Sequence, residues 1–366
     1  MKIGIDVSQI VYGTGVSVYT RKLIENLLKV DLENEYILFG GSLRRFSELR
    51  SIAKNFNDLN HRSDIVSKIY PLPPTLADFI WNRLHILPIE KLVGRVDVFH
   101  SSDWTEPPSN AFKVTTVHDL IPLKFPKIIH RSILETHVRR LDWVKKESRR
   151  VIVPSKSTME DLVNYGVSES KIRIIPEAGV LTESDAERVS EVKTKYNILG
   201  DYLVAFASGP YKNIVRIKKA FELSSAGKNL KLVIVGRQSM NLVREDRNVR
   251  LTGFIPESEL AALVSGSRGL IFASLYEGFG QPILDAFSCK APVVTSKIGS
   301  MPEVAGDAAV LVDPTKVESI SDGIEKILRG PKGFIEKGLE RVKQFSWEKT
   351  ARMTLDVYKE AKSTDM

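Results

Sequence analysis

The nonapeptide Glu277-Gly-Phe-Gly-Gln-Pro-Ile-Leu-Asp285 sets an acid and two glycines after the apolar run Leu270–Ala273 and ahead of an apolar helical pattern. Pro282 suits the first helical position, where its missing N–H would have had no partner anyway. The unbonded N–H groups of such a turn, backed by the helix dipole, favour a negative group such as a diphosphate. Gly278, Phe279, Gly280 and Ile283 are the neighbouring positions that would meet it. Glu277, just ahead, can accept hydrogen bonds from hydroxyls. A ligand that is part sugar and part phosphate fits both properties.

Three other turns carry chemistry-bearing residues. Tyr12-Gly13-Thr14-Gly15 follows a first strand and precedes a helix at Tyr19–Val30. It reads as a phosphate-contacting turn or as a tight strand-to-helix turn without a ligand. Val18 stands where a dinucleotide fingerprint has its third glycine, and Phe39-Gly40-Gly41 replaces the acid that closes its second strand. All six histidines lie between positions 61 and 137. His118 ends the run Lys113–Val117 and is followed by Asp119, at a strand's carboxyl end where open α/β sheets bind ligands. It is either a group facing a reacting sugar or a hydrogen-bonded structural imidazole. His100 also ends a strand, whereas His61, His85, His130 and His137 read as structural or solvated. In the second half, Gly209-Pro-Tyr-Lys212-Asn213 ends a strand and opens a helix at Ile214–Leu223. A lysine there neutralises a diphosphate leaving group, or simply decorates a polar loop. Arg237, after Val235-Gly236, is a candidate second cation. No Asp-x-Asp ends a strand and no Cys/His ligand spacing occurs, so no metal is expected.

Together these segments resemble the retaining GT-B glycosyltransferases of family 4, which include bacterial glycogen synthases, sucrose synthases and many mannosyltransferases. Glu277 to Asp285 is similar to the family's acid-x7-acid donor motif, with Asp where Glu is usual. Thr116-Val-His118-Asp-Leu-Ile-Pro-Leu and Ser300 to Pro314 resemble further family segments. Lys212-Asn213 matches an Arg-Lys-Asn segment, with Tyr211 in the place of Arg. The resemblance implies an α/β fold of two Rossmann-like domains facing an interdomain cleft, with the C-terminal helix crossing back to the first. It assigns Gly13 and Gly15 to the donor phosphate and acceptor, His118 to the transferred sugar, and Glu277 to sugar hydroxyls. Lys212 falls to the leaving diphosphate and Asp285 to the ribose; Asp119 reads as orienting loop backbone or the acceptor, and His100 as a weaker acceptor-side candidate. The implied activity is metal-independent, retaining transfer of a hexose from a nucleotide diphosphate sugar, GDP-mannose or a UDP-hexose, to a hydroxyl of a glycan, lipid-linked or small-molecule acceptor. No cofactor is implied.

The elements around these residues agree with that organisation. At 366 residues the chain exceeds what one core usually serves. Short apolar runs alternate with helical patterns from end to end, as in parallel α/β sheets. Twelve strands are expected, from Lys2–Val7 to Ala309–Val312, and the polar stretch Glu177 to Ser190 reads as a hinge. Domains of 1–178 plus 346–366 and of 179–345 follow. Phe345 to Tyr358 reads as a helix with Ser346 as its N-cap. The single Cys289 reads as a small buried hydrophobe in a reducing, cytoplasmic compartment. Met1 to Ser8 reads as a strand rather than a signal peptide, and no stretch approaches the ~20 apolar residues of a membrane span.

Net charge +8 points to an anionic partner without naming it. Arg131 to Arg150 carries seven Arg or Lys against three acids, over the apolar spacing Leu134, Val138, Leu141 and Val144. It reads as an amphipathic helix whose basic face suits an anionic acceptor or membrane leaflet, extended by Phe79, Ile80, Trp81 and Arg83. Nucleic acid is not an expected partner. Two rival functions stand beside transfer: a non-catalytic nucleotide-sugar-binding subunit, kept open by Tyr211 and Asp285, and an NAD(P)-dependent oxidoreductase or epimerase, disfavoured by the missing third glycine.

Overall fold

Strands dense in Val and Ile must be covered on both faces, and helices on either side of a parallel sheet do this. The computed structural model describes residues 1–60, 64–236 and 243–364, and the chain forms two compact units, Met1–Glu177 with Trp347–Met366, and Ala178–Ser346. His61 and Arg237 lie outside the described residues.

The first unit holds a parallel sheet of seven strands in the order β3-β2-β1-β4-β5-β6-β7. These are Lys2–Asp6, Glu35–Gly41, Ile65–Tyr70, Val98–Ser101, Phe112–Thr116, Arg150–Val153 and Ile172–Ile174, numbered β1 to β7 in chain order. Ile3 of β1 pairs with Tyr36 on one side and Val98 on the other. The strand order therefore reverses between β1 and β4, and open sheets bind ligands at the carboxyl ends of such a reversal. β3 had no counterpart in the sequence reading. It is an edge strand with only Ile65 buried, so its apolar signal is weak.

The second unit repeats the design with β8 to β13 in the order β10-β9-β8-β11-β12-β13. Their spans are Tyr202–Phe206, Lys231–Val235, Val249–Gly253, Leu270–Phe272, Val293–Ser296 and Val310–Val312. Alternation along β9 splits its side chains between two cores: Val233 and Val235 join one, Leu232 and Ile234 the other. Here the reversal falls between β8 and β11.

The segment expected to be a hinge runs into the helix Ala186–Lys195, where Asp185 caps the Arg188 N–H. The first helix begins at Gly15, earlier than expected, because Thr14 and Ser17 form a reciprocal cap. The tail helix Trp347–Lys359 belongs to the first unit. Thr350 Oγ1 donates to the Pro176 carbonyl at 2.7 Å, and Glu360 pairs with Arg150 and Arg173. Cys289 is buried. Among the described residues, no helix is long and apolar enough to cross a membrane.

Candidate active site

In the second unit the reversal brings together the turns after β8 and β11. A Cβ at Gly209 would lie 2.5 Å from the Tyr211 ring, so a side chain there would have to displace that ring. The turn Pro210–Lys212 ends at Asn213, held in the left-handed region at φ 61°. Asn213 is buried and donates from Nδ2 to the carbonyls of Ala273 at 3.0 Å and Pro314 at 2.7 Å. One amide thus locks three loops, a role the sequence reading missed. Lys212 Nζ lies 2.7 Å from Glu277 Oε1 and 4.7 Å from the centre of the Phe272 ring. Glu277 is fixed in turn by Ser300 Oγ, which donates to its carbonyl at 2.9 Å.

The helix Gln281–Ser288 starts at Gly280, whose φ of 108° suits glycine, and no side chain caps its N-terminus. Pro282 has no N–H and the Ile283 amide donates to the Gly280 carbonyl at 2.9 Å, so the Gln281 N–H is what remains of the first turn. Phe279 and Ile283 point into the core, with Phe279 edge-on to Phe345, so neither side chain is left for a ligand. Asp285 Oδ1 accepts the amides of Val180 at 2.6 Å and Leu181 at 3.0 Å, while Oδ2 receives Gln281 Nε2 at 3.3 Å. Burial pushes this carboxyl up to about 6, against the pull of those amides. Oδ1 thus has two donors and Oδ2 one.

In the first unit a cavity of about 30 Å³, room for a water, sits at the β1/β4 reversal. Asp6, Tyr19, His100, Ser102 and His118 line it. Gly13, at φ 66°, turns the chain into the helix Gly15–Val30, and both glycines are exposed with open space where a Cβ would project. His118 Nδ1 lies 3.1 Å from Glu177 Oε1, and Tyr19 packs edge-on to the imidazole at 4.5 Å. Burial disfavours the imidazolium, but Glu177, with Asp103 and Asp119 behind it, outweighs burial and raises the pKa of His118. Among the described residues, Nε2 of His118 has no hydrogen-bond partner. Glu177 was not singled out in the sequence, although an acid directly after β7 sits at the carboxyl edge where ligands bind.

The other expected residues separate clearly. His100 is buried with Nδ1 on Tyr358 Oη at 2.6 Å and Nε2 on Thr116 Oγ1 at 2.9 Å. Both nitrogens are occupied, which corrects its acceptor-side assignment: it has no atom left for a ligand. Asp119 Oδ1 accepts the Ile121 amide at 2.8 Å and so shapes its own loop. Trp81 is 1% exposed and belongs to the core, not to a surface with Phe79. Of the basic helix Arg131–Glu147, Arg139 and Arg140 are turned inward to Asp78 and Asp103, leaving Arg131, Lys145 and Lys146 exposed. Among the described residues, no group of three His, Cys, Asp or Glu side chains converges to hold a metal ion.

Comparison with known proteins agrees with this arrangement. A family model described as Glycosyltransferase Family 4 matches residues 13–178, and one described as Glycosyl transferases group 1 matches residues 191–345. The chain is similar to O-antigen chain mannosyltransferase B of Escherichia coli, 29% identical over 283 residues, covering 72% of this chain and 74% of that one. It is also similar to the MMP alpha-(1->4)-mannosyltransferase of Mycolicibacterium hassiacum, 27% identical over 57% of this chain and 53% of the relative. Among solved structures, sucrose-phosphate synthase from Thermosynechococcus elongatus superposes with a TM-score of 0.69 at 17% identity, with full coverage of both chains. Anabaena Alr3699/HepE in complex with UDP-glucose gives 0.69 at 14% identity, over 98% of this chain and 100% of the other. At these identities the structural likeness concerns the fold.

Proposed function

This chain belongs to glycosyltransferase family 4 and is a glycosyltransferase, and from that premise we propose that it moves a mannose or other hexose, with retained configuration, from a nucleotide diphosphate sugar to an acceptor hydroxyl. The observation that carries the reading is the Lys212–Glu277 pair beside the uncapped helix Gln281–Ser288. Lys212, the Gln281 N–H and the helix dipole take the diphosphate, whose charge grows as the glycosidic bond breaks. Glu277 holds hydroxyls of the transferred sugar, and Asp285 Oδ2 meets the ribose. The cation and the dipole do the work a divalent ion does elsewhere, so the reaction runs without metal. Attack from the face of the departing phosphate keeps the configuration, and a phosphate oxygen takes the acceptor's proton. The names of the curated relatives favour mannose as the transferred sugar, and that of the O-antigen chain enzyme favours a glycan as acceptor.

In the first unit, His118 is the group for a substrate oxygen. This unit also carries Leu76, Phe79, Leu84, Ile86 and Leu87 exposed in one stretch beside Arg83 and the exposed Arg131. Arg139 and Trp143 fasten that stretch to the basic helix through Asp78 and the Asn82 carbonyl. Exposed apolar side chains beside arginines suit the interface of an anionic leaflet, where a lipid-linked acceptor would be met.

A thermal-shift screen against GDP-mannose, UDP-hexoses, UDP-N-acetylhexosamines, ADP-glucose and NAD(P) tests the reading. A ligand at a hundredfold excess over its Kd adds ~2.7 kcal/mol of stability. The expected outcome is a shift with one nucleotide sugar that Glu277→Ala abolishes. A shift with NAD(P) alone overturns it, and binding of a nucleotide sugar without turnover replaces it with a non-catalytic role.

A further inference from the structure

His118 is a residue whose two ring nitrogens have unequal surroundings. Nδ1 meets the Glu177 carboxylate at 3.1 Å, whereas Nε2 has no hydrogen-bond partner among the described residues. Glu177 is 7% exposed, and the two residues before it are each held by a backbone hydrogen bond. The Ile175 amide donates to the Val153 carbonyl at 2.9 Å, continuing the β7–β6 ladder, and the Pro176 carbonyl accepts Thr350 Oγ1 at 2.7 Å from the tail helix. The opposite side of the imidazole is set by Tyr19, whose ring lies 4.5 Å away and whose hydroxyl shares a 3.3 Å hydrogen bond with Thr116 Oγ1. Trp347 backs Tyr19 at 5.8 Å. An imidazole gripped at one nitrogen by a fixed carboxylate and packed on its edge has one tautomer and one orientation.

Resting on the transferase reading above, we propose that Glu177 is a positioning residue: its carboxylate accepts the Nδ1–H of His118 and reserves Nε2 for the substrate. Nδ1–H is then the fixed proton, and Nε2 either accepts from a sugar hydroxyl or, when protonated, donates to a sugar or phosphate oxygen. The charged and titratable groups facing His118 are Glu177, Asp103 and Asp119, with Tyr19 and the neutral His100 against it. The acids raise its pKa, so Nε2 keeps its proton to higher pH than in a free histidine. Losing the Glu177 charge therefore lowers the pH at which His118 titrates, whichever of its forms is active.

The experiment compares wild type, Glu177→Gln and Glu177→Asp by ¹⁵N-imidazole NMR titration of the full chain and by pH profiles of kcat and KM. The expected result is loss of the uniform Nδ1–H tautomer and a fall of about one unit in the His118 titration in Glu177→Gln. Its kcat should drop at least ~10-fold with little change in donor KM, the matching limb of the pH profile should move down, and Glu177→Asp should recover part of both. A tautomer and titration unchanged in Glu177→Gln overturn the proposal, as does a pH profile that superposes on that of the wild type. The NMR titration needs no turnover. A chain inactive toward every nucleotide sugar but with the Nδ1–H tautomer intact would sink the transferase reading instead.

Discussion

Lys212 Nζ and Glu277 Oε1 form an ion pair at 2.7 Å with both side chains about nine-tenths covered, 11% and 10% exposed. Each group is the partner that the other would give up to a bound nucleotide sugar, the ammonium to phosphate and the carboxylate to hydroxyls. Removing either one leaves a sheltered charge without its counterpart. Lys212→Met and Glu277→Gln should each lose roughly 1–3 kcal/mol in denaturant titrations, and the double variant less than the sum. Turnover should fall about 100-fold in each single variant. Strictly additive stability losses, or wild-type turnover in either variant, would contradict the pairing or its role.

Asp285 joins the start of the helix Gln281–Ser288 to the amides of Val180 and Leu181. Burial raises its carboxyl to about 6, so the folded chain holds this proton more tightly than the unfolded one. That stabilisation is present below about pH 4 and is lost as the pH rises through 6. Asp285→Asn keeps an oxygen for both amides without ionising. Its Tm at pH 7.5 should equal or exceed that of the wild type, with a flatter pH dependence between 4 and 6. Asp285→Ala strands two buried amides and should cost about 2–4 kcal/mol; a melt like that of the wild type would deny the tie.

Burial, with His118 and Arg140 nearby, lowers the pKa of His100 to about 3. The folded state needs this imidazole neutral, whereas the unfolded chain protonates it near 6.5. Its contribution is therefore complete above that pH and shrinks as pH falls toward 3, by about 2–3 kcal/mol at pH 4.5. His100→Gln loses bonds to Tyr358 and Thr116 and should melt lower at pH 7.5. The drop in Tm between pH 7.5 and 4.5 should nonetheless be smaller than for the wild type. Equal drops would remove His100 from the acid response.

The exposed stretch from Leu76 to Leu87 gives a prediction for lipid vesicles. Co-sedimentation should be strong with vesicles rich in phosphatidylserine, weak with neutral ones, and reduced by salt, at about 1 kcal/mol per engaged Lys or Arg. Phe79→Ser with Ile86→Ser should weaken it about 10-fold or more. Binding indifferent to both lipid charge and these substitutions would dismiss the surface.

Much of this protein is written locally. The apolar runs of β1, β5, β8, β9 and β11, the helix at Ile214–Leu223 and the Gly280-Gln-Pro282 helix start depend on neighbours within a few residues. Periodicity and turn chemistry therefore find them in the sequence, and the acid, lysine and histidine at the strand ends come with them. β3 escaped because an edge strand with one buried side chain leaves no periodic trace. Trp81 and His100 were misplaced because residue type says what a side chain can do, not whether it faces core or solvent. The pairs that give the site its character span long stretches of chain: 59 residues from His118 to Glu177, and 65 from Lys212 to Glu277. Sheet order decides these. The reversal between β8 and β11 brings Lys212 to Glu277, and the order β5-β6-β7 sets the ends of β5 and β7 on one carboxyl edge, where side-chain charge, burial and hydrogen bonding first become mutual.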